Sequence, residues 1–111
     1  MTDTATPPEL GESGAALWAE LVDLAEFDAH ELSLLVEACR TRDRLDELDA
    51  VVRREGVTVA SPQGVKAHPA LVEARAQQVV MTRLLASLRI PTEDDARPQR
   101  RGSARGAYGV R

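Results

Sequence analysis

Residues 27–56 read FDAHELSLLVEACRTRDRLDELDAVVRREG, and this stretch decides the fold. It holds a start signal, one continuous helical pattern and a stop signal. Asp28 and Glu31 have the spacing of a capping box, with Asp in place of Ser or Thr, and Phe27 ahead of the cap can staple onto Leu32. At the far end Gly56 supplies a C-cap in the left-handed conformation. Arg53 and Arg54 sit favourably on the negative end of the helix dipole. These signals predict a helix from about Ala29 to Glu55.

The pattern within this helix changes. Leu32, Leu34, Leu35, Val36, Ala38 and Cys39 form a wide apolar arc, which predicts burial on several sides. The second half keeps a narrower stripe, Thr41, Leu45, Leu48 and Val52, in the 4-3-4 spacing that wants one partner helix. The mixed charges from Arg40 to Asp49 read as a solvated face with local pairs such as Asp49 to Arg53, or as intersubunit salt bridges.

Downstream, β-branched arms flank Ser61-Pro62-Gln63-Gly64, where Pro at the second position and Gly at the fourth fit a tight turn. A short β-hairpin or extended loop is expected over residues 57–68. His68-Pro69 opens a third helix, with Pro69 at its first position. That helix should run from about Ala70 to Leu88. Its stripe is Leu71, Ala74, Gln78, Met81, Leu85 and Leu88, and Val72, Val79, Val80 and Leu84 widen the face. Ile90-Pro91 ends it, and Thr92 can cap a single turn over residues 93–96. Upstream, Ser13 can cap a first helix reaching about Glu26, with Leu17, Leu21, Leu24 and Ala25 on one face and Trp18 and Val22 beside them.

The expected fold is mainly α: a short N-terminal helix followed by a long antiparallel αα-hairpin whose arms are joined by a β-like loop. Residues 1–12, polar with Pro7, Pro8 and Gly11, read as a disordered leader. Residues 13–96 read as a helical oligomerisation domain, and residues 97–111 as a disordered basic tail. No repeat is visible. The 111 residues allow one small domain. Roughly 80 folding residues give a core of only ~3–5 kcal/mol, a size that often gains stability by oligomerising. Trp18, Phe27 and Tyr108 are the only aromatics, so the core must be Leu, Val and Ala. The helices carry more apolar face than a three-helix monomer covers. Leu45, Leu48, Val52, Met81 and Leu85 are therefore expected to face partners within or between subunits.

Charge divides the chain sharply. Arg97, Arg100, Arg101, Arg105 and Arg111 stand in a tail with no acid, net +5, while residues 1–96 set nine bases against eighteen acids, net −9. The overall −4 conceals this division. A flexible arginine tail can pair with phosphates and release counterions without reading sequence. It can equally dock on an acidic protein. Tyr108 can stack on a base. Other candidate DNA contacts are Lys66 in the loop and Arg53 and Arg54 beside it.

No catalytic constellation emerges. His30 and His68 have no metal-ligand spacing, and no glycine cluster forms a phosphate loop. Cys39, the single cysteine, lies on an apolar face and reads as a small buried hydrophobe. Neither metal, cofactor nor enzymatic activity is expected. The first residues carry no signal-peptide pattern, and no apolar run of ~18 residues predicts a membrane span, so a cytoplasmic protein is expected.

The order of features resembles a known family. Gly14-Ala-Ala-Leu-Trp18 precedes the short helix, and Phe27-Asp28-Ala-His-Glu31 opens the second. Leu35-Val-Glu-Ala-Cys39 leads into Asp43-Arg-Leu-Asp46. Gly56-Val-Thr-Val, His68-Pro69-Ala-Leu71, Glu73-Ala-Arg75 and Leu88-Arg-Ile-Pro91 follow. Over residues 14–95 this resembles the short small subunits of tailed-phage terminases, which initiate DNA packaging. The resemblance implies a non-catalytic ring that recognises double-stranded viral DNA and loads the large subunit, the ATPase and nuclease, inside the host bacterium. The αα-hairpin would then form the ring, and the tail would touch DNA or the large subunit. Some members carry a separate N-terminal helix-turn-helix, but residues 1–26 are too short and acidic for one. The competing reading is a small helical adaptor or antitoxin-like dimer whose basic tail docks on an acidic protein.

Overall fold

The capping box at Asp28 is formed as its spacing requires. The Asp28 carboxylate accepts from the Glu31 amide at 2.8 Å, and the Glu31 carboxylate accepts from the Asp28 amide at 3.0 Å. In the computed structural model, which describes residues 5–91, this box starts the longest element. The chain is mainly helical, in the order α1 (Glu12–Leu24), α2 (Ala29–Glu55), β1 (Thr58–Ser61), β2 (Gly64–Ala67) and α3 (Pro69–Leu88).

α2 ends at Gly56, whose amide donates to the Val52 carbonyl at 2.7 Å. Gly56 has φ 92 and ψ 171, a positive φ without the left-handed helical ψ. The chain therefore leaves the helix straight into extended backbone, where a Cβ would be strained. β1 and β2 pair antiparallel in the register Thr58↔Ala67, Val59↔Lys66, Ala60↔Val65 and Ser61↔Gly64, which leaves Pro62-Gln63 as a two-residue loop. Gly64 supplies the positive φ of 118, and the Ser61 hydroxyl donates to its carbonyl at 2.6 Å. α3 begins with Pro69 as predicted and closes on Arg89 in the left-handed region, φ 53.

α1 differs from expectation at both ends. It starts at Glu12 with Gly11 as N-cap, and Gly11 has no side chain to satisfy the first amides. Ser13 lies inside the helix, and its hydroxyl donates to Asp46 on α2. The last turn stops at Leu24, and Ala25 is already extended at φ −154 and ψ 159. Part of the stretch read as a leader is also docked. Leu10 packs against the core, and Glu9 pairs with Arg40 of α2 at 2.9 Å.

α1 lies on the first half of α2 and meets the last turn of α3. Trp18, Leu21, Leu35, Cys39 and Leu88 are buried together there, and Phe27, Leu32 and Leu85 pack around them. Removing Leu35, wholly inaccessible to solvent, from water contributes about 2–3 kcal/mol. The second half of α2 packs mainly on α3, while its Asp43 and Asp46 also bond the first turn of α1. Leu45 is buried in that seam. Buried Thr41 satisfies its hydroxyl on the Glu37 carbonyl at 2.8 Å, so its polarity costs little. The expected turn after Thr92 and the expected disorder of residues 97–111 fall outside the described residues.

Candidate functional site

The first turn of α1 is capped from another helix. Asp43 on α2 presents both carboxylate oxygens to it. Oδ2 accepts from the Gly11 amide at 2.6 Å, and Oδ1 accepts from the Gly14 amide at 2.7 Å. Anions are favoured at a helix N-terminus, where free amides and the macrodipole converge. The approach is close because Gly14 has no side chain. A Cβ there would stand 2.4 Å from Asp43 Oδ2 and 2.6 Å from the Cys39 carbonyl oxygen. Beside this clamp, Asp46 accepts from Ser13 and pairs with Arg42 at 3.1 Å. The Ser13 hydrogen bond, aided by Arg42, holds the Asp46 carboxyl below its ordinary value. Gly14 and Asp43, 29 residues apart in the chain, thus form one structural junction, with buried Trp18 one turn further along α1. Its chemistry is anchoring, since the carboxylate is already satisfied by two amides.

Cys39 lies under this junction. Burial, with a smaller contribution from Asp43, pushes its thiol up to about 11. At neutral pH it stays protonated and unreactive. No group of three or more His, Cys, Asp or Glu among the described residues is arranged to hold a metal ion.

The opposite end of the αα-hairpin gathers three candidate DNA contacts, Arg53, Arg54 and Lys66. Two are already engaged: Arg53 pairs with Asp49 at 2.8 Å and Arg54 with Glu55 at 3.2 Å. Lys66 is exposed on β2 and has no ion-pair partner among the described residues. The five tail arginines, Arg97, Arg100, Arg101, Arg105 and Arg111, lie outside the described residues.

His68 ties this end together. Its Nδ1 accepts from the Ala70 amide at 2.9 Å, so it caps α3. The ring proton then belongs on Nε2, which donates to Glu55 Oε1 at 2.7 Å. Its own amide donates to the Val57 carbonyl at 2.8 Å. One buried histidine, through its ring and its own amide, therefore joins the end of α2, the base of the hairpin and the start of α3. The His68 hydrogen bond, aided by Arg54, lowers the Glu55 carboxyl from its ordinary value.

Four of the five candidate interface residues line the seam between α2 and α3. Leu45 and Val52 border a groove with Leu71 and Ala74, and the groove continues past Met81 and Leu85. Leu48 is half-buried. All five thus have packing work inside the subunit. The valines expected to widen the packed face of α3 point outward instead, with Val72 at 53%, Val79 at 49% and Val80 at 42% exposure. The sequence reading also passed over Arg75, Arg83 and Arg89. All three are exposed on or beside α3, and none has an ion-pair partner among the described residues. Their signal was present: Glu73 is the only acid between Pro69 and Pro91.

No protein-family model, curated protein or solved structure matches the chain. None of the described helices is long and apolar enough to cross a membrane.

Proposed function

We propose that this chain is the small subunit of a phage or prophage terminase. It assembles as a ring, binds double-stranded viral DNA and brings the large ATPase and nuclease subunit to it in the host cytoplasm. It performs no chemistry itself. The observation that carries the DNA part is the charge division, five arginines in residues 97–111 with no acid among them. Ion-paired Arg53 and Arg54 rank below the tail, and unpaired Lys66 ranks beside it as a second contact. The family reading rests on the resemblance over residues 14–95, within which Gly14 and Asp43 meet between α1 and α2.

The test is fluorescence anisotropy of a labelled duplex from 50 to 200 mM salt, using the full chain and a chain ending at residue 96. Each phosphate neutralised contributes about −0.9 to the slope of log affinity against log salt. Removal of five arginines should flatten the slope by about 4.5 and weaken binding by at least ~500-fold at the low-salt end. Equal affinity and slope for the two chains would end the tail's role. Absence of binding by both would leave the adaptor reading.

A further inference from the structure

The two outer helices carry opposite, unused charge. Residues 1–39 contain no lysine or arginine. On α1, Glu12, Glu20 and Asp23 are exposed, and none has an ion-pair partner among the described residues. Leu24, one turn beyond Glu20, is 51% exposed. α3 has the complementary surface. Its exposed valines are flanked by unpaired Arg75 and Arg83, which with Val79 border a shallow depression. Neither face is covered by the rest of the described chain; the charges on the α1 face are all acids, and on α3 Glu73, bonded to Gln77 at 2.7 Å, is the single acid beside Arg75 and Arg83.

We infer that these faces are the two halves of a head-to-tail contact between copies of this chain, with the acidic face of α1 in one copy seated on the valine stripe of α3 in the next. Charge selects a second copy in this arrangement. Glu20 and Asp23 meet Arg75 and Arg83, and Leu24 reaches the valines. A two-fold contact of α3 with itself is disfavoured by the same charges. An antiparallel pairing centred on Val79 sets Arg75 of one copy against Arg83 of the other, and like charges so placed repel. A contact between two different faces propagates, and it closes into a ring when the rotation per subunit permits. It supplies the ring of the packaging reading and rests on that reading only for closure.

Charge reversal tests the contact. One full-length variant carries Glu20→Arg and Asp23→Arg, and the other carries Arg75→Glu and Arg83→Glu. All four sites are exposed, and circular dichroism checks that each variant is folded. Light scattering behind size exclusion should show wild type assembled and each variant monomeric at the same concentration. An equimolar mixture of the two should regain assemblies larger than a dimer, because each reversed face then meets its complement. If either variant misfolds, Glu20→Gln with Asp23→Asn, or Arg75→Gln with Arg83→Gln, replaces it, and assembly should need at least tenfold more protein. The inference is overturned by a monomeric wild type, by variants that assemble like wild type, or by a mixture that stays monomeric or stops at a dimer. Duplex binding separates this contact from the packaging reading. Assembly by wild type without DNA affinity ends that reading and leaves the contact standing, while a DNA-binding ring that both charge-reversed variants still form ends the contact and leaves the reading standing.

Discussion

Gly14→Ala should destabilise this chain, against the usual sign for a helix. In an open helix interior, alanine gains about 1 kcal/mol over glycine. Here the new Cβ would stand 2.4 Å from Asp43 Oδ2 and 2.6 Å from the Cys39 carbonyl oxygen. The carboxylate can swing away, but it then releases the Gly11 and Gly14 amides, held at 2.6 and 2.7 Å. Hydrogen bonds to a charged group contribute about 1.5–3 kcal/mol each, less where water replaces the partner, as it can at exposed Gly11. The Cys39 carbonyl belongs to the backbone of α2 and has no rotamer to change. α1 must therefore back away and loosen the packing around Trp18, an overpacking cost of about 1–3 kcal/mol. Set against the propensity gain, the net loss is about 3 kcal/mol, or roughly 10–20 °C in Tm for a domain of this size. Thermal and urea unfolding followed by circular dichroism at fixed protein concentration measures it. Asp43→Ala, which removes the cap without the clash, should cost about 2 kcal/mol. A Gly14→Ala chain as stable as wild type, or more so, would refute the close junction of α1 and α2.

Other consequences follow from burial and ionisation. Leu45→Ala should cost about 2–4 kcal/mol in urea unfolding and Leu48→Ala clearly less, because Leu45 is 6% exposed and Leu48 only half-buried. Cys39, with its thiol raised from 9.0 to about 11, should react with iodoacetamide at pH 8 at least ~100-fold more slowly in the folded chain than in urea. Glu9, Asp46 and Glu55 are held below their ordinary values of 4.5, 3.8 and 4.5, Glu9 first by a backbone hydrogen bond and then by Arg40, Asp46 by Ser13 and Glu55 by His68. Carboxyls shifted in this direction stabilise the folded chain above those values and lose the effect as pH falls through their lower folded values. Glu55→Gln should therefore shrink the loss of Tm measured between pH 5 and pH 3.

The parts of the fold legible in the sequence are those set by neighbours along the chain. Asp28 and Glu31 are one turn apart, Pro62 and Gly64 share one turn, and Pro69 pre-sets the first residue of α3, so local rules suffice. The cap of α1 was not legible. Ser13 offered a local solution, while the group that satisfies Gly11 and Gly14 comes from Asp43 on another helix. The place of His68 at the opening of α3 was visible, but its partner Glu55 lies across the hairpin. The apolar arc of α3 was visible as well, yet periodicity does not say which rim is covered. Leu71 and Met81 face α2, whereas Val72, Val79 and Val80 remain outside.

The most direct test of the account is native mass spectrometry of the full-length chain at near-physiological salt, with and without a DNA duplex. The account predicts one discrete closed assembly larger than a dimer, its copy number set by subunit rotation, that retains the duplex. A monomer or dimer that leaves the duplex free would contradict it.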